Sequence, residues 1–443
     1  MQVPCQSRRI LLMDADAFFV AVARQEDPEG AGRARFLIVG GRPGSRGVVC
    51  SASYECRSFG VRSAMPIAKA LRLCAEAMCV PVPRDACLRR SREIQAVLAR
   101  FIPVVEAASI DEWYGDLGGT EALYGEEPLA HTAHRVRTAV HAATGLWISI
   151  GVGTSRLVAK MAVERAKPRP GTDAAGVFEV RPGDEAAFLA TCATSDVPGI
   201  GPRFAARLHQ LGLDRIADAQ RWSEVALTQA LGPRAGSWLY RRVRGLDDTP
   251  VEARAHRLQV SREDTFPADL VSREATEREL QRLAIRVSAD LRKQALRART
   301  VTVKHRTADF RTHTAQRTLE RSISSDRGVF RVARPLLRQL QAKHPGPVRL
   351  LGIALSHLMP HEAEDAGDGP PQLALFAPPN PPAPPVESPR DLALSHALDR
   401  IRGRFGDGAI LPAHLVDTEA RSGPPPTRPG AHPPPRPGRP IPG

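Results

Sequence analysis

Two pairs of carboxylates stand just after short apolar runs. Asp14 and Asp16 follow Arg9–Met13 (RILLM), and Asp111 and Glu112 stand in Ser109-Ile110-Asp111-Glu112, a few residues past Ile102–Val105. Carboxylates at strand ends suit hard cations, because Mg²⁺ takes oxygen ligands and keeps positions for water and substrate phosphate. Two such ions roughly 4 Å apart stabilise the attacking and leaving oxygens of a phosphoryl transfer together. Taken singly, either pair reads first as an ordinary exposed acid or a helix cap, and spacing alone does not bring position 14 to position 111. A second set of residues suits phosphate. Ser53-Tyr54-Glu55-Cys56-Arg57 follows the strand-like Gly47–Ser51. Arg57 offers a planar fork and Tyr54 a hydroxyl, while Lys167, before Pro168 at a helix end, offers an ammonium.

The elements that must position these groups are mixed. Arg9–Met13, Phe36–Val39 and Trp147–Val152 are short, β-rich apolar runs, and Ile67–Cys79, Leu129–Ala143 and Ser155–Ala166 have helical spacing. Val197-Pro198-Gly199-Ile200-Gly201-Pro202 places two glycines in a tight turn, with Pro202 suited to the first turn of a helix over Phe204–Leu211. That pattern resembles a helix–hairpin–helix, in which a helix N-terminus holds a DNA phosphate without reading sequence. Arg299–Arg306 alternates: Val301 and Val303 share one face, and Thr302, Lys304 and Arg306 share the other. Asp247-Asp248-Thr249-Pro250 marks a linker before this basic region.

Composition narrows the function. The chain has 443 residues with 62 Lys plus Arg against 48 Asp plus Glu, a net charge of +14. Residues 257–358 alone carry 21 basic and 10 acidic side chains. That concentration favours a polyanionic partner. Hydrophobic residues reach 42%, which excludes wholesale disorder. No apolar run is long enough for a membrane span, and no secretory leader is evident at Met1–Arg9. The seven cysteines form no CxxC pair, so reduced cytoplasmic thiols are expected rather than a disulfide frame or zinc site. Of 40 prolines, 21 lie in residues 360–443, which predicts that the folded part ends near Leu358 and a disordered tail follows.

Together the motifs resemble those of the Y-family DNA polymerases, the translesion enzymes, in their bacterial branch. Asp14-Ala15-Asp16-Ala17-Phe18-Phe19 is similar to the first motif of that family. Ala52–Arg57 with Phe59-Gly60-Val61-Arg62-Ser63-Ala64-Met65-Pro66 is similar to its fingers motif. Glu106 with Ser109–Glu112 resembles the second acidic motif. Gly151-Val152-Gly153, Ala159-Lys160-Met161-Ala162 and Lys167-Pro168 resemble the third, and Val348–Ile353 the end of the extra DNA-binding domain. The order is collinear from Arg9 to Leu358. The resemblance implies an α+β right hand: palm 1–18 and 84–174, fingers 19–83, helix–hairpin–helix thumb 175–245, linker 246–257, α/β little finger 258–358, and a Pro-rich tail 359–443.

It also implies roles. Asp14, Asp111 and Glu112 would be the catalytic carboxylates holding two Mg²⁺, and Phe19 would be the steric gate against a ribose 2′-hydroxyl. Tyr54, Arg57 and Lys167 would hold the triphosphate of a deoxynucleotide. Gly199, Gly201, Lys304 and Arg306 would meet the backbone of a primer–template DNA. Gln372-Leu373-Ala374-Leu375-Phe376 resembles the peptide by which bacterial polymerases dock on a sliding clamp, so Gln372, Leu373, Leu375 and Phe376 are expected there. Past it, Ser388 and Pro389 would start a helix to Phe405, with Leu394, Leu398, Ile401 and Phe405 on one face. A cytoplasmic monomer is expected. Two departures, Trp113 and Gly115 after the second acidic motif, are expected to alter packing beneath the site. An inactive adaptor of the same fold would lack the acidic set, which is complete here, and a nucleotide cyclase would not need the hairpin or the basic domain.

Overall fold

The computed structural model describes residues 8–124, 127–168, 175–253, 257–361, 386–406 and 408–415. The chain divides into two units between His256 and Arg257.

In the first unit, β1 (Ile10–Ala15) and α1 (Phe18–Glu26) lead into β2 (Leu37–Gly40), β3 (Val49–Ala52), α2 (Tyr54–Ser58), α3 (Ile67–Leu73) and β4 (Met78–Val80). Next come α4 (Arg84–Leu98), β5 (Val104–Ala107), β6 (Glu112–Asp116), α5 (Leu129–Thr144), β7 (Ile148–Gly153), α6 (Arg156–Ala166) and β8 (Val177–Glu179). Five short helices follow: α7 (Glu185–Ala190), α8 (Pro202–Gln210), α9 (Ile216–Gln220), α10 (Glu224–Leu231) and α11 (Pro233–Arg242).

The run ILLMDA is buried along its whole length because β1 is central in the sheet β5-β6-β1-β7-β8 and both its faces are covered. Alternation sends Leu11 and Met13 into a core with α4 and α5, and Ile10 and Leu12 into one with Ala159 and Val163 of α6. Helix α6 lies close on β7 because Gly151 and Gly153 carry no Cβ; at Gly151 one would sit 2.2 Å from the Ala159 carbonyl oxygen. The two departures noted above have a packing reason. Trp113 is fully buried in the α4/α5 core, and Gly115 leaves room for Ile102, whose Cγ2 would be 2.9 Å from a Cβ there.

One helix of the sequence reading is shorter than expected. Helix α3 stops at Leu73, and Met78–Val80 runs parallel to β2 as the third strand of the small sheet. The expected linker is also partly built into the first unit. Arg8 donates to the Asp247 and Thr249 carbonyls at 3.4 and 2.9 Å, and Glu252 N donates to Glu106 Oε2 at 3.2 Å. Val251 is buried with Ile10 and Leu12.

The second unit comprises β9 (Gln259–Leu270), α12 (Arg273–Arg292), β10 (Leu296–Thr307), β11 (Thr312–Ile323), α13 (Asp326–Lys343), β12 (Val348–Pro360) and α14 (Pro389–Phe405). Its sheet has the order β11-β10-β12-β9, and Val301 and Val303 are fully buried beneath α12 and α13, as the alternation predicts. The folded part does not end at Leu358. Helix α14, capped by Ser388, packs on α13 of this unit, and Leu415 is buried. Its buried side chains are Asp391, Ser395 and Arg402, whereas Leu394, Ile401 and Phe405 are exposed at 37, 37 and 66%. The polar face is inside because partners wait there: Arg292 reaches Asp399 and Asp326 at 2.7 and 2.9 Å, and Arg402 lies 3.5 Å from Asp326. Residues 372–376 lie outside the described residues.

Candidate active site

Antiparallel pairing of β1 with β6 sets Asp14 directly opposite Glu112, close enough that each carboxyl shifts the pKa of the other. Like charges at that distance need compensation, and α6 supplies it. Lys160 Nζ donates to Glu112, and Lys167 Nζ lies 2.9 Å from Asp14 Oδ2 and 2.7 Å from Glu164. Burial pushes the Asp14 carboxyl up to about 7, Glu112 adding to the rise and Lys167 opposing it. Burial would also raise Glu112, but Lys160, Asp14 and Lys167 outweigh it and hold that carboxyl below the usual range. Burial works against the Lys167 ammonium, yet Asp14 and Glu164 hold its pKa above the usual value.

The third expected carboxylate is held apart. The Asp111 carbonyl accepts from Ala15 N at 2.9 Å, which fixes the turn beside β1, but its carboxylate accepts from Ser109 Oγ at 2.5 Å. Among the described residues no three acidic, His or Cys side chains converge as a metal cage. Asp16 is held by β7: Oδ1 accepts from Ser149 Oγ at 2.7 Å, and Oδ2 is buried with no hydrogen-bond partner.

Phe19 stands in the first turn of α1, half-buried, its ring centroid 5.7 Å from that of Phe18. Ala17, with φ of 46°, makes the sharp turn from β1 into that helix. Tyr54 and Arg57 lie on α2, whose N-terminus Ser53 caps. Arg57 Nε donates to the Ala52 carbonyl at 3.0 Å, and Cζ lies 4.9 Å over the Tyr54 ring. Burial and the fields of Asp16 and Asp14 push the Tyr54 phenol up to about 12, against Arg57 and Lys167. The fingers pair and the carboxylates therefore share one electrostatic neighbourhood. Sequence reasoning assigned no role to Lys160 or Glu164, although positions 160, 164 and 167 follow the i, i+4, i+7 spacing of one helix face. Glu106 serves the scaffold: it is 3% exposed and bonds the Arg156 guanidinium and the Glu252 amide.

In the hairpin, Gly199 has φ of 102° and packs beneath Trp238, and α8 begins at Pro202 after Gly201. In the second unit Lys304 is 2.6 Å from Glu263 across the sheet, and Arg306 Nε donates to Thr312 Oγ1 at 2.8 Å. Both side chains lie on the face opposite the core, half-exposed.

Comparison with known proteins adds the following. Residues 13–164 match the impB/mucB/samB family, 257–372 match that family's C-terminal domain, and 195–247 match a thumb domain described for DNA polymerase iota. A DNA polymerase IV of Dehalococcoides mccartyi (strain CBDB1) is 36% identical over 349 residues, spanning 79% of this chain and 87% of that one. A DNA polymerase IV of Gluconobacter oxydans (strain 621H) is 36% identical over 359 residues, spanning 81% of this chain and 97% of that one. Among solved structures, a chimera of the Y-family polymerases Dbh and Dpo4 aligns with a TM-score of 0.71 at 24% identity, covering 80% of this chain and 99% of its own. An insertion ternary complex of Dbh DNA polymerase aligns at 0.56 and 25% identity, covering 80% and 99%.

Proposed function

The chain belongs to the impB/mucB/samB family and is a DNA-directed DNA polymerase of the Y-family, translesion type; from that premise we propose that Asp14, Asp111 and Glu112 are its catalytic carboxylates. Polymerases of this kind generally use divalent metal ions, and we assign two Mg²⁺ to this set. The donor set fits such ions: hard carboxylate oxygens, two of them opposed across β1 and β6, with ammonium groups already balancing their charge. Bound there, the ions would lower the pKa of the primer 3′-hydroxyl and neutralise the departing pyrophosphate.

The chain's own residues do the rest. Tyr54, Arg57 and Lys167 bind the triphosphate of the incoming deoxynucleotide; Lys167, which pairs with Asp14 here, would pair with a phosphate where an ion held Asp14. Phe19 fills the space beside the sugar and excludes a 2′-hydroxyl. Gly199 and Gly201 direct backbone amides, and Lys304 and Arg306 their cations, at DNA phosphates. The palm, fingers, thumb and little finger take 1–18 with 84–174, 19–83, 175–245 and 258–358, the linker being 246–257. Gln372, Leu373, Leu375 and Phe376 dock a sliding clamp on a tethered peptide. The enzyme acts as a cytoplasmic monomer; among the described residues no helix is long and apolar enough to cross a membrane.

The observation that carries this assignment is the Asp14–Glu112 opposition, flanked by Lys160 and Lys167. The test is extension of a labelled primer on undamaged and lesion-bearing templates, with and without Mg²⁺. Asp14→Asn and Glu112→Gln should each remove extension while duplex binding persists. Full extension by either variant would overturn the assignment.

A further inference from the structure

Helix α14 is amphipathic in the reverse sense from a docking helix. Its charged face is buried on Arg292 and Asp326, and its apolar face looks out. Leu394 and Leu398 do not lie bare, however. With Ile285 of α12, Phe330 of α13 and Leu411 they line a groove of about 620 Å³. Its rim is cationic. Arg327 and Arg331 are 61 and 53% exposed at their side chains, each 3.6 Å from Asp391, and Arg334 is exposed with its guanidinium 5.8 Å from the Phe330 ring. An apolar floor with an arginine rim fits a segment that carries apolar anchors next to acidic side chains.

The chain's tail contains such a segment. Glu362, Glu364, Asp365 and Asp368 precede Leu373, Leu375 and Phe376, all within 15 residues. The chain also re-enters beside the groove: Arg331, which lines it, donates to the Val386 carbonyl. Nine residues separate Phe376 from Val386, rich in proline. At about 3.1 Å each in an extended Pro-rich chain they reach roughly 30 Å, so the apolar anchors can return to the groove.

We propose that the groove between α13 and α14 holds the chain's own segment 362–376, so that the clamp-docking peptide is occupied when no clamp is present. This deepens the clamp assignment made above and rests on it for its biological meaning. The self-docked fraction reduces apparent clamp affinity by the factor by which it depletes free peptide. The clamp and the groove compete for Leu375 and Phe376.

The experiment has two arms. In the first, a fluorescent peptide of residues 362–378 is titrated with the full chain carrying Leu375→Ser and Phe376→Ser, which vacates the groove. Saturable binding is expected, weakened at least ten-fold by adding Arg334→Glu, and separately by adding Leu398→Ser. Arg334 is exposed, so that variant keeps the fold if Leu398→Ser does not. A peptide with Leu373, Leu375 and Phe376 all replaced by Ser should not bind; equal binding would mean bulk charge attraction and overturn the proposal. No binding, or binding indifferent to Arg334→Glu, also overturns it. If Arg334→Glu weakens duplex DNA binding instead of peptide binding, the groove is a nucleic-acid surface. If the unsubstituted chain dimerises and Arg334→Glu makes it monomeric, the segment docks between copies; either result refutes docking within one chain. In the second arm the unsubstituted chain and Arg334→Glu are titrated with clamp, and several-fold tighter binding by the variant is expected. Should the isolated peptide fail to bind clamp, the clamp assignment fails while the first arm still decides self-docking.

Discussion

Gly151→Ala perturbs the active centre without touching any charged group. Gly151 lies in β7, opposite Leu12 of β1. A Cβ there would sit 2.2 Å from the Ala159 carbonyl oxygen and 2.3 Å from the Val163 amide nitrogen, both backbone atoms of α6. Ordinary contact begins near 3.4 Å, so α6 must retreat by about 1.2 Å or the sheet must bend by as much. Overpacking of this kind costs ~1–3 kcal/mol. The functional cost should be larger in proportion, because α6 carries Lys160 and leads into Lys167, and a displacement of about 1 Å at positioning groups costs on the order of 10²-fold in rate. All four tryptophans, at positions 113, 147, 222 and 238, belong to the first unit. Tryptophan fluorescence in urea therefore reports that unit alone, and single-nucleotide incorporation gives kcat/KM. The variant should lose ~2 kcal/mol and one to two orders of magnitude in kcat/KM. Gly118→Ala, whose nearest neighbour is the movable Asp116 carboxylate at 3.1 Å, should change both far less. A Gly151→Ala chain matching the parent in midpoint and in kcat/KM would refute the close-packing argument.

Replacing Phe19 by Ala should let ribonucleotides in; the ratio of deoxy- to ribonucleotide incorporation should fall by at least ten-fold, and an unchanged ratio would remove Phe19 from the gate position. Lys160→Met should leave Glu112 beside Asp14 without its balancing ammonium, so the more negative pair should bind Mg²⁺ more tightly and lower the Mg²⁺ concentration needed for half-maximal extension, read from a Mg²⁺ titration at fixed nucleotide; an unchanged or raised value would contradict the charge-balancing role. His305 is fully buried in the second unit with neither ring nitrogen hydrogen-bonded, and burial, then His313 and His344, hold its pKa below the usual value. A depressed folded pKa gives stability that is present above pH 6.5 and is lost as pH falls through the folded value, so His305→Leu should raise the thermal midpoint and flatten its decline between pH 6.5 and 5. A steeper acid decline in the variant would contradict that sign. Binding to duplex DNA should weaken steeply with salt, and the slope of log affinity against log salt should be smaller by about 1 in Arg306→Ala.

The strands that hold the carboxylates were legible because burial on both faces writes an unbroken apolar run, and RILLM became the central β1. Position 14 against position 112 was not, since antiparallel register depends on pairing between distant segments. The same holds for Ser149 on Asp16, which neighbouring strands bring together over 133 residues. Helix α3 was overextended because Ala75, Glu76, Ala77 and Met78, all good helix formers, run on past its true end; the vacant edge of β2 claimed Met78–Val80, a choice made by tertiary pairing over local propensity. At α14 the boundaries Ser388 and Pro389 and the shared apolar face were legible, but which face packs inward was not. Hydrophobic periodicity names the apolar side, and here Asp391, Asp399 and Arg402 find buried charge partners that no spacing rule reveals.

The stitching of residues 247–252 onto β1 and Glu106 bears on how segments of related enzymes can be interchanged. Arg8 on the Asp247 and Thr249 carbonyls, Arg242 on Asp247 at 3.1 Å and Glu252 on Glu106 all lie within the first unit. A splice at the outward composition boundary, near residue 246, would part Arg242 from Asp247 and leave Arg8 and the buried Glu106 to be met by the backbone path of a foreign linker. A junction placed after position 253 keeps each donor with its acceptor, so the recipient polymerase retains its own seam and only the basic half is exchanged.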